Sequence, residues 1–278
     1  MRRKSFALAV MILFVSALTA QAQETQPRSP VSIPAASRTQ AECTGFIAET
    51  PVPRDLVVVG GGDDDFHSVV RQFVKGESVF ISPRNGENVK ADAEYNVVRP
   101  ATELFQTMRY QGQGWVMRKL GKPYEDVAKV KVTHVSPEGA VARVTFSCGP
   151  ILPGDVLVPF QPRAIPDYTR SQPLDHFSPL DKNKTNGRIT ASHNNFGFLG
   201  AQTVVYLNLG QRDGTAVGRR FRIYKVLPPE GTGFFMKQPI PPETIGEAVV
   251  LSVQSKSCVA MVVSSYREIS AGDYVVEE

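Results

Sequence analysis

The residues best suited to chemistry lie in one stretch, Gly60-Gly61-Gly62-Asp63-Asp64-Asp65-Phe66-His67. Glycines between a strand and a helix can cradle a phosphate, because the amides of a helix start point at the anion. Three adjacent carboxylates would repel that anion and would suit a hard cation such as calcium. Successive side chains point in different directions, however, and the spaced Asp-x-Asp-x-Asp-Gly pattern is missing. A turn with an acidic helix start, favoured by the helix dipole, accounts for the same residues. His67, His134, His176 and His193 show no spacing that would bring two of them onto one metal, and no Gly-x-Ser-x-Gly turn presents a nucleophile. Asp155 and Asp273 each follow a glycine, Gly154 and Gly272, at equivalent places in the two halves of the chain. That recurrence points to turns, in which glycine takes a positive φ and aspartate accepts from backbone amides, rather than to catalytic carboxylates. No catalytic residue, metal ligand or cofactor is assigned, and the chain reads as a non-enzyme.

Aromatic side chains are the better candidates for ligand contact. Tyr110 and Trp115, the one tryptophan, lie in the Gly-rich stretch Tyr110-Gln111-Gly112-Gln113-Gly114-Trp115, and Phe234 and Phe235 follow Gly231-Thr232-Gly233 in the second half. Rings held out on such loops can stack on a glycan. Rings turned inward can plug the end of a barrel, and both readings stay open at this point.

The elements that would position these residues are short. Arg2, Arg3 and Lys4, an apolar run over residues 6–18 and Thr19-Ala20-Gln21-Ala22 make a secretory signal cleaved after Ala22. At about 13 residues the run falls short of the roughly 20 needed to span a bilayer, so the mature chain is expected to be soluble. The signal carries three of the 31 Lys and Arg residues, which leaves 28 against 27 acids and a mature charge of +1. Such a balance, with no basic run interleaved with aromatics, gives nucleic acid nothing to bind. An exported chain folds where thiols oxidise, so Cys43 is expected to pair with Cys148, leaving Cys258 as a buried free thiol.

Residues 23–42, rich in Pro, Ser, Gln and Thr, read as a disordered leader. Strand-length runs rich in Val and Ile then alternate with Gly, Pro and Asp. One short helix is expected over residues 65–74, where Phe66, Val69, Val70 and Phe73 share a face. The runs repeat. Val79-Phe80-Ile81 and Tyr95-Asn96-Val97-Val98-Arg99 match Val205-Tyr206-Leu207 and Phe221-Arg222-Ile223-Tyr224-Lys225 at an offset of 126. Val132, Val141, Val144, Ile151, Gly154, Asp155 and Val158 match Val250, Val259, Val262, Ile269, Gly272, Asp273 and Val276 at an offset of 118, so the first copy carries an insertion eight residues longer. The expected fold is mostly β. It comprises two repeated small barrels, a first module over residues 43–160 and a second over 187–278, joined by a Pro-rich linker at 161–186.

The second copy carries a resemblance. Val204-Val205-Tyr206-Leu207-Asn208-Leu209-Gly210, Val217-Gly218-Arg219-Arg220-Phe221-Arg222-Ile223-Tyr224, Ile245-Gly246-Glu247-Ala248-Val249-Val250 and Ile269-Ser270-Ala271-Gly272-Asp273 look like a module of bacterial envelope proteins often found beside LysM domains. They are also similar to the C-terminal SH3-like barrel of the flagellar H-ring assembly protein. The resemblance covers residues 203–276 and extends more weakly over 77–159. The Gly-Asp usual before the aromatic strand stands here as Gly218-Arg219 and Asp92-Ala93, and no LysM motif is present. The resemblance implies a non-catalytic periplasmic or extracellular protein that binds or scaffolds peptidoglycan or envelope proteins. An exported hydrolase of cell-wall polymers and a structural subunit of an oligomeric envelope-spanning assembly are the alternatives.

Overall fold

A computed structural model describes residues 31–62, 72–84, 89–105, 107–169, 176–181, 183–227 and 240–278. An N-terminal strap comes first: β1 (Ser32–Pro34), α1 (Arg38–Glu42) and β2 (Phe46–Ala48). The first barrel is built from β3 (Leu56–Gly61), β4 (Ser78–Pro83) and β5 (Glu94–Pro100), then, after the helix α2 (Gln113–Leu120), β6 (Lys122–Ser136), β7 (Gly139–Ser147) and β8 (Val156–Pro159). A short strand β9 (Asp167–Thr169) leads to the second barrel, β10 (Asn186–Ser192), β11 (Val204–Leu207), β12 (Arg220–Lys225), β13 (Glu243–Val253), β14 (Cys258–Ser265) and β15 (Tyr274–Glu277).

The repeat is structural down to its register. The second barrel closes in the order β10-β11-β14-β13-β12-β15, and the first in the matching order β3-β4-β7-β6-β5-β8, its ring completed by pairing of β6 with β7. Val79 faces Ala142 as Val205 faces Ala260, and Val97 faces Leu157 as Ile223 faces Val275. The irregularity in pairing at Val97/Val98 recurs at Ile223/Tyr224. Isolated bridges join Phe73 to Ile151 and Leu199 to Ile269. Alternation along each strand explains the cores: Val79, Ile81, Val130, Val132, Ala142 and Val144 fill the first barrel, and Val205, Leu207, Ala248, Val250, Ala260 and Val262 fill the second.

The outer walls differ, and the difference joins the barrels. On the first, Phe80, Thr133, Arg143 and Thr145 face solvent. Their twins Tyr206, Leu251, Met261 and Val263 are buried, together with Val249, under Ala35, Ala36, Ala41 and Ile47 of the strap, Leu104, the α2 residues Met117 and Leu120, and Tyr168 of β9. Burying side chains of this size stabilises by roughly 1.5–3 kcal/mol each, so this wall is a third core rather than a casual contact. Gly45 lets the strap pass: its φ is +64°, and a Cβ there would stand 2.4 Å from the Tyr124 carbonyl oxygen.

The disordered-leader reading fails over residues 31–42. β1 pairs with β9, and α1 is capped by Ser37 and Gln40 in a reciprocal capping box. Ala35, Ala36 and Ala41 are small enough to press the strap onto the apolar wall, a reward that composition alone does not reveal. The linker 161–186 likewise contains β9, and the second barrel starts at Asn186. Of the helix expected over 65–74, residues 65–71 lie outside the described residues, and Phe73 sits in a β-bridge. The signal segment also lies outside them. No helix among the described residues is long and apolar enough to cross a membrane.

Candidate functional site: the cleft at the barrel seam

Where the barrels meet, a cleft of about 520 Å³ opens between residues 46–53, 96–98 and 158–164 of the first half and residues 217 and 251–254 of the second. That volume falls within the range of small-ligand and peptide sites. Phe46, Val52, Val98, Val158 and Val253 give it apolar walls, and Asn96 and Ser252 give it polar ones. Asn96 Oδ1 and Ser252 Oγ are buried and have no hydrogen-bond partner.

The charged side chains lining the cleft are Asp126 and Arg163, and they are matched to each other. The Arg163 guanidinium donates to both Asp126 oxygens, at 2.6 and 2.8 Å, and also to Thr44 Oγ1 and the carbonyls of Ala41 and Glu42. Asp126 Oδ2 accepts from Gly45 N–H at 2.7 Å as well. A bidentate pair with its remaining sites filled holds the strap in place and leaves neither a base nor a free cation. Beside it, Tyr206 donates to the Thr44 carbonyl, and His193 Nδ1 lies 3.1 Å from the Tyr206 hydroxyl. Burial pushes the His193 pKa below its ordinary value and the Tyr206 pKa far above its own, so both are neutral across the physiological range.

The residues singled out from the sequence are scattered by the fold. Trp115 stands on the outer face of α2, 57% exposed, with the Lys119 ammonium 3.6 Å from its ring centre. Tyr110, five residues away, is half-buried against the second barrel: its ring packs on Gly272 and its hydroxyl is enclosed without a partner. Tyr110 therefore lies against the second barrel. Phe234, Phe235, Asp63, Asp64, Asp65 and His67 lie outside the described residues.

Gly154 and Gly272 adopt φ of +96° and +104°, and Asp155 and Asp273 accept from the amides of Leu152 and Ser270 at 2.8 and 2.7 Å. Arg99 grips Asp155 with two bonds of 2.7 Å, while its twin Lys225 stays 3.9 Å from Asp273. Burial raises the Asp273 pKa, whereas the Asp155 carboxylate raises that of Arg99. Cys43 and Cys148 form a disulfide with Cα atoms 5.5 Å apart, and Cys258 is free and buried in the second core. His134 and His176 stand apart from the cleft, and among the described residues no three His, Cys, Asp or Glu side chains converge as a metal site.

Asn96, Asp126, Arg163 and Ser252 were not singled out from the sequence. They come from four distant segments with no common spacing, and a legible signal existed only on the second barrel. There Val249, Leu251, Met261 and Val263 stand where the first copy has Lys131, Thr133, Arg143 and Thr145, marking a wall that must be covered. A scan against protein-family models and a search of curated proteins found no match to the chain.

Proposed function

We propose that this chain is an exported, non-catalytic envelope protein that binds or scaffolds peptidoglycan or partner proteins, its two barrels forming one rigid presenting unit. The seam cleft carries this reading: it has ligand-sized volume and mixed apolar and polar walls, and its one ion pair is already saturated. The secretory signal in residues 1–22 and the resemblance of residues 203–276 to an envelope module support the periplasmic or extracellular setting.

Expression of the full chain in a Gram-negative host, followed by osmotic-shock fractionation and N-terminal sequencing, tests the setting, with mature protein beginning at Gln23 the expected result. Cosedimentation of that protein with isolated sacculi, beside a Trp115→Ala variant, tests the glycan branch. Pelleting that falls with the variant assigns the exposed ring of α2 to peptidoglycan. Protein left in the supernatant leaves protein partners as the binding class, and retention in the cytoplasm overturns the envelope reading.

A further inference from the structure

We propose that an exposed apolar face shared by the two barrels docks on the surface of an anionic phospholipid bilayer. The inference goes beyond the binding role above and uses a different face from the seam cleft. Its apolar residues are Met108 and Trp115, on the insertion that carries α2, and Phe196 and Phe198, on the loop between β10 and β11.

All four side chains are exposed, and Phe198, at 74%, is the most exposed large apolar side chain among the described residues. Contacts between the two segments make them one surface. The Arg109 guanidinium donates to the Asn195 carbonyl, and a Cβ on Gly197, which stands between Phe196 and Phe198, would lie 3.4 Å from its Nη1. A Cβ on Gly114, beside Trp115, would lie 3.6 Å from both Met108 Sδ and Arg118 Nη1. Single apolar side chains on a surface are ordinary, but four brought together from two barrels mark an interaction face.

Charge identifies the occupant. Residues 104–124 contain Arg109, Arg118, Lys119 and Lys122 and no Asp or Glu, and residues 186–210 contain no acid either, in a chain whose 31 Lys and Arg nearly balance 27 Asp and Glu. Among the described residues Arg109, Arg118 and Lys119 pair with no carboxylate: Arg109 holds Asn195, and the Lys119 ammonium lies 3.6 Å from the Trp115 ring centre. The carboxylates that flank these segments are Glu103, ahead of Leu104, Glu125, after Tyr124, and Glu268, beside the Leu199–Ile269 bridge. Aromatic tips set among unpaired cations match the interface of an anionic bilayer. Rings settle at headgroup depth, and Lys and Arg keep their charge at the phosphates. A second copy of the chain would bring like charges together on this face. An acidic protein would need holes shaped to four separate tips, whereas a fluid bilayer closes around them.

The protein beginning at Gln23 is mixed with vesicles of phosphatidylcholine, alone or with added phosphatidylglycerol. Binding is read by flotation and by the emission of Trp115, the one tryptophan. Phe198→Ser and Lys119→Glu are compared with Phe80→Ser, which removes an exposed ring from the outer wall of the first barrel. All three positions are exposed, and unchanged melting temperatures verify that the variants fold. The expected result is flotation with the phosphatidylglycerol vesicles only, with a blue shift of Trp115. Partitioning should fall roughly tenfold in Phe198→Ser and in Lys119→Glu but not in Phe80→Ser, the scale of one lost aromatic anchor or one reversed charge. No flotation, equal flotation with both vesicles, or binding that ignores both variants overturns the proposal. A Trp115 shift with polyglutamate and none with vesicles overturns it in favour of an acidic protein. Sacculi hold no bilayer, so this experiment and the sacculus experiment fail separately.

Discussion

Tyr206 of the second barrel donates its hydroxyl hydrogen to the carbonyl of Thr44, 162 positions earlier, across 2.8 Å of buried seam. The twin of Tyr206 in the first barrel, Phe80, has no such partner and stands 44% exposed. The hydroxyl adds a bond to a wall that Val249, Leu251, Met261 and Val263 already make apolar where the first barrel has Lys131, Thr133, Arg143 and Thr145.

Tyr206→Phe should keep the packing and remove the bond. It removes one hydrogen bond to the Thr44 carbonyl and one contact of the His193 ring, which still bonds the Thr44 backbone, at a cost of about 0.5–1.5 kcal/mol. Urea unfolding should show a lower midpoint with an unchanged slope. An unchanged midpoint would mean that the hydroxyl contributes nothing to the seam.

His193 makes the seam sensitive to acid. Its pKa in the folded protein lies below the ordinary value because it is buried. As pH falls from about 7 to 5 the unfolded chain takes up this proton first, so stability falls through that window. Glu125 and Asp273 act in the opposite direction, since burial raises their folded pKa values and the folded chain protonates first. His193→Gln, which can still bond Tyr206 but cannot charge, should flatten the loss. Thermal unfolding at several pH values measures the difference in slope.

The twin turn aspartates should respond unequally to one substitution. Asp155→Asn breaks a two-bond grip by Arg99 on a buried carboxylate and should cost about 1–3 kcal/mol. Asp273→Asn loses only a distant Lys225 and a charge that burial already disfavours, and should cost less than about 1 kcal/mol. Equal melting shifts would show that the ion pair adds nothing to the turn.

Cys43 and Cys148 tie the end of α1 to the first barrel across 105 residues of sequence. In the chain-entropy description a closure of this length stabilises by roughly 3–5 kcal/mol. Cys43→Ser, or reduction, should lower the melting temperature by a corresponding amount while leaving Cys258 unreactive to thiol reagents until unfolding. Burial pushes that thiol well above its ordinary pKa.

Repetition made the barrels legible from sequence. Valines two apart gave strand faces, and the constant offsets of 126 and 118 carry over to the pairing registers, because a closed sheet with a filled interior tolerates no slip. What joins the barrels was hidden. Ser, Pro, Gln and Ala in residues 31–42 look unstructured because their apolar partners, from Tyr206 to Val263, lie far along the chain, and Arg163 in a proline-rich stretch carries no local sign that Asp126 waits for it. The cleft followed the same pattern: Asn96 and Ser252 are unremarkable strand residues until two walls are placed side by side.

The strap binds a surface made of residues that the ribosome adds much later. Ala35, Ala36, Ala41 and Ile47 emerge first, yet the wall that receives them needs Met261 and Val263 of β14, near the other end of the chain. The strap is held to the first barrel by the β2–β6 pairing and the Cys43–Cys148 disulfide, but its apolar face is covered only once β14 is in place. A chain stopped short of β14 would keep the strap tethered to the first barrel while Ala35, Ala36 and Ala41 lack the wall that covers them.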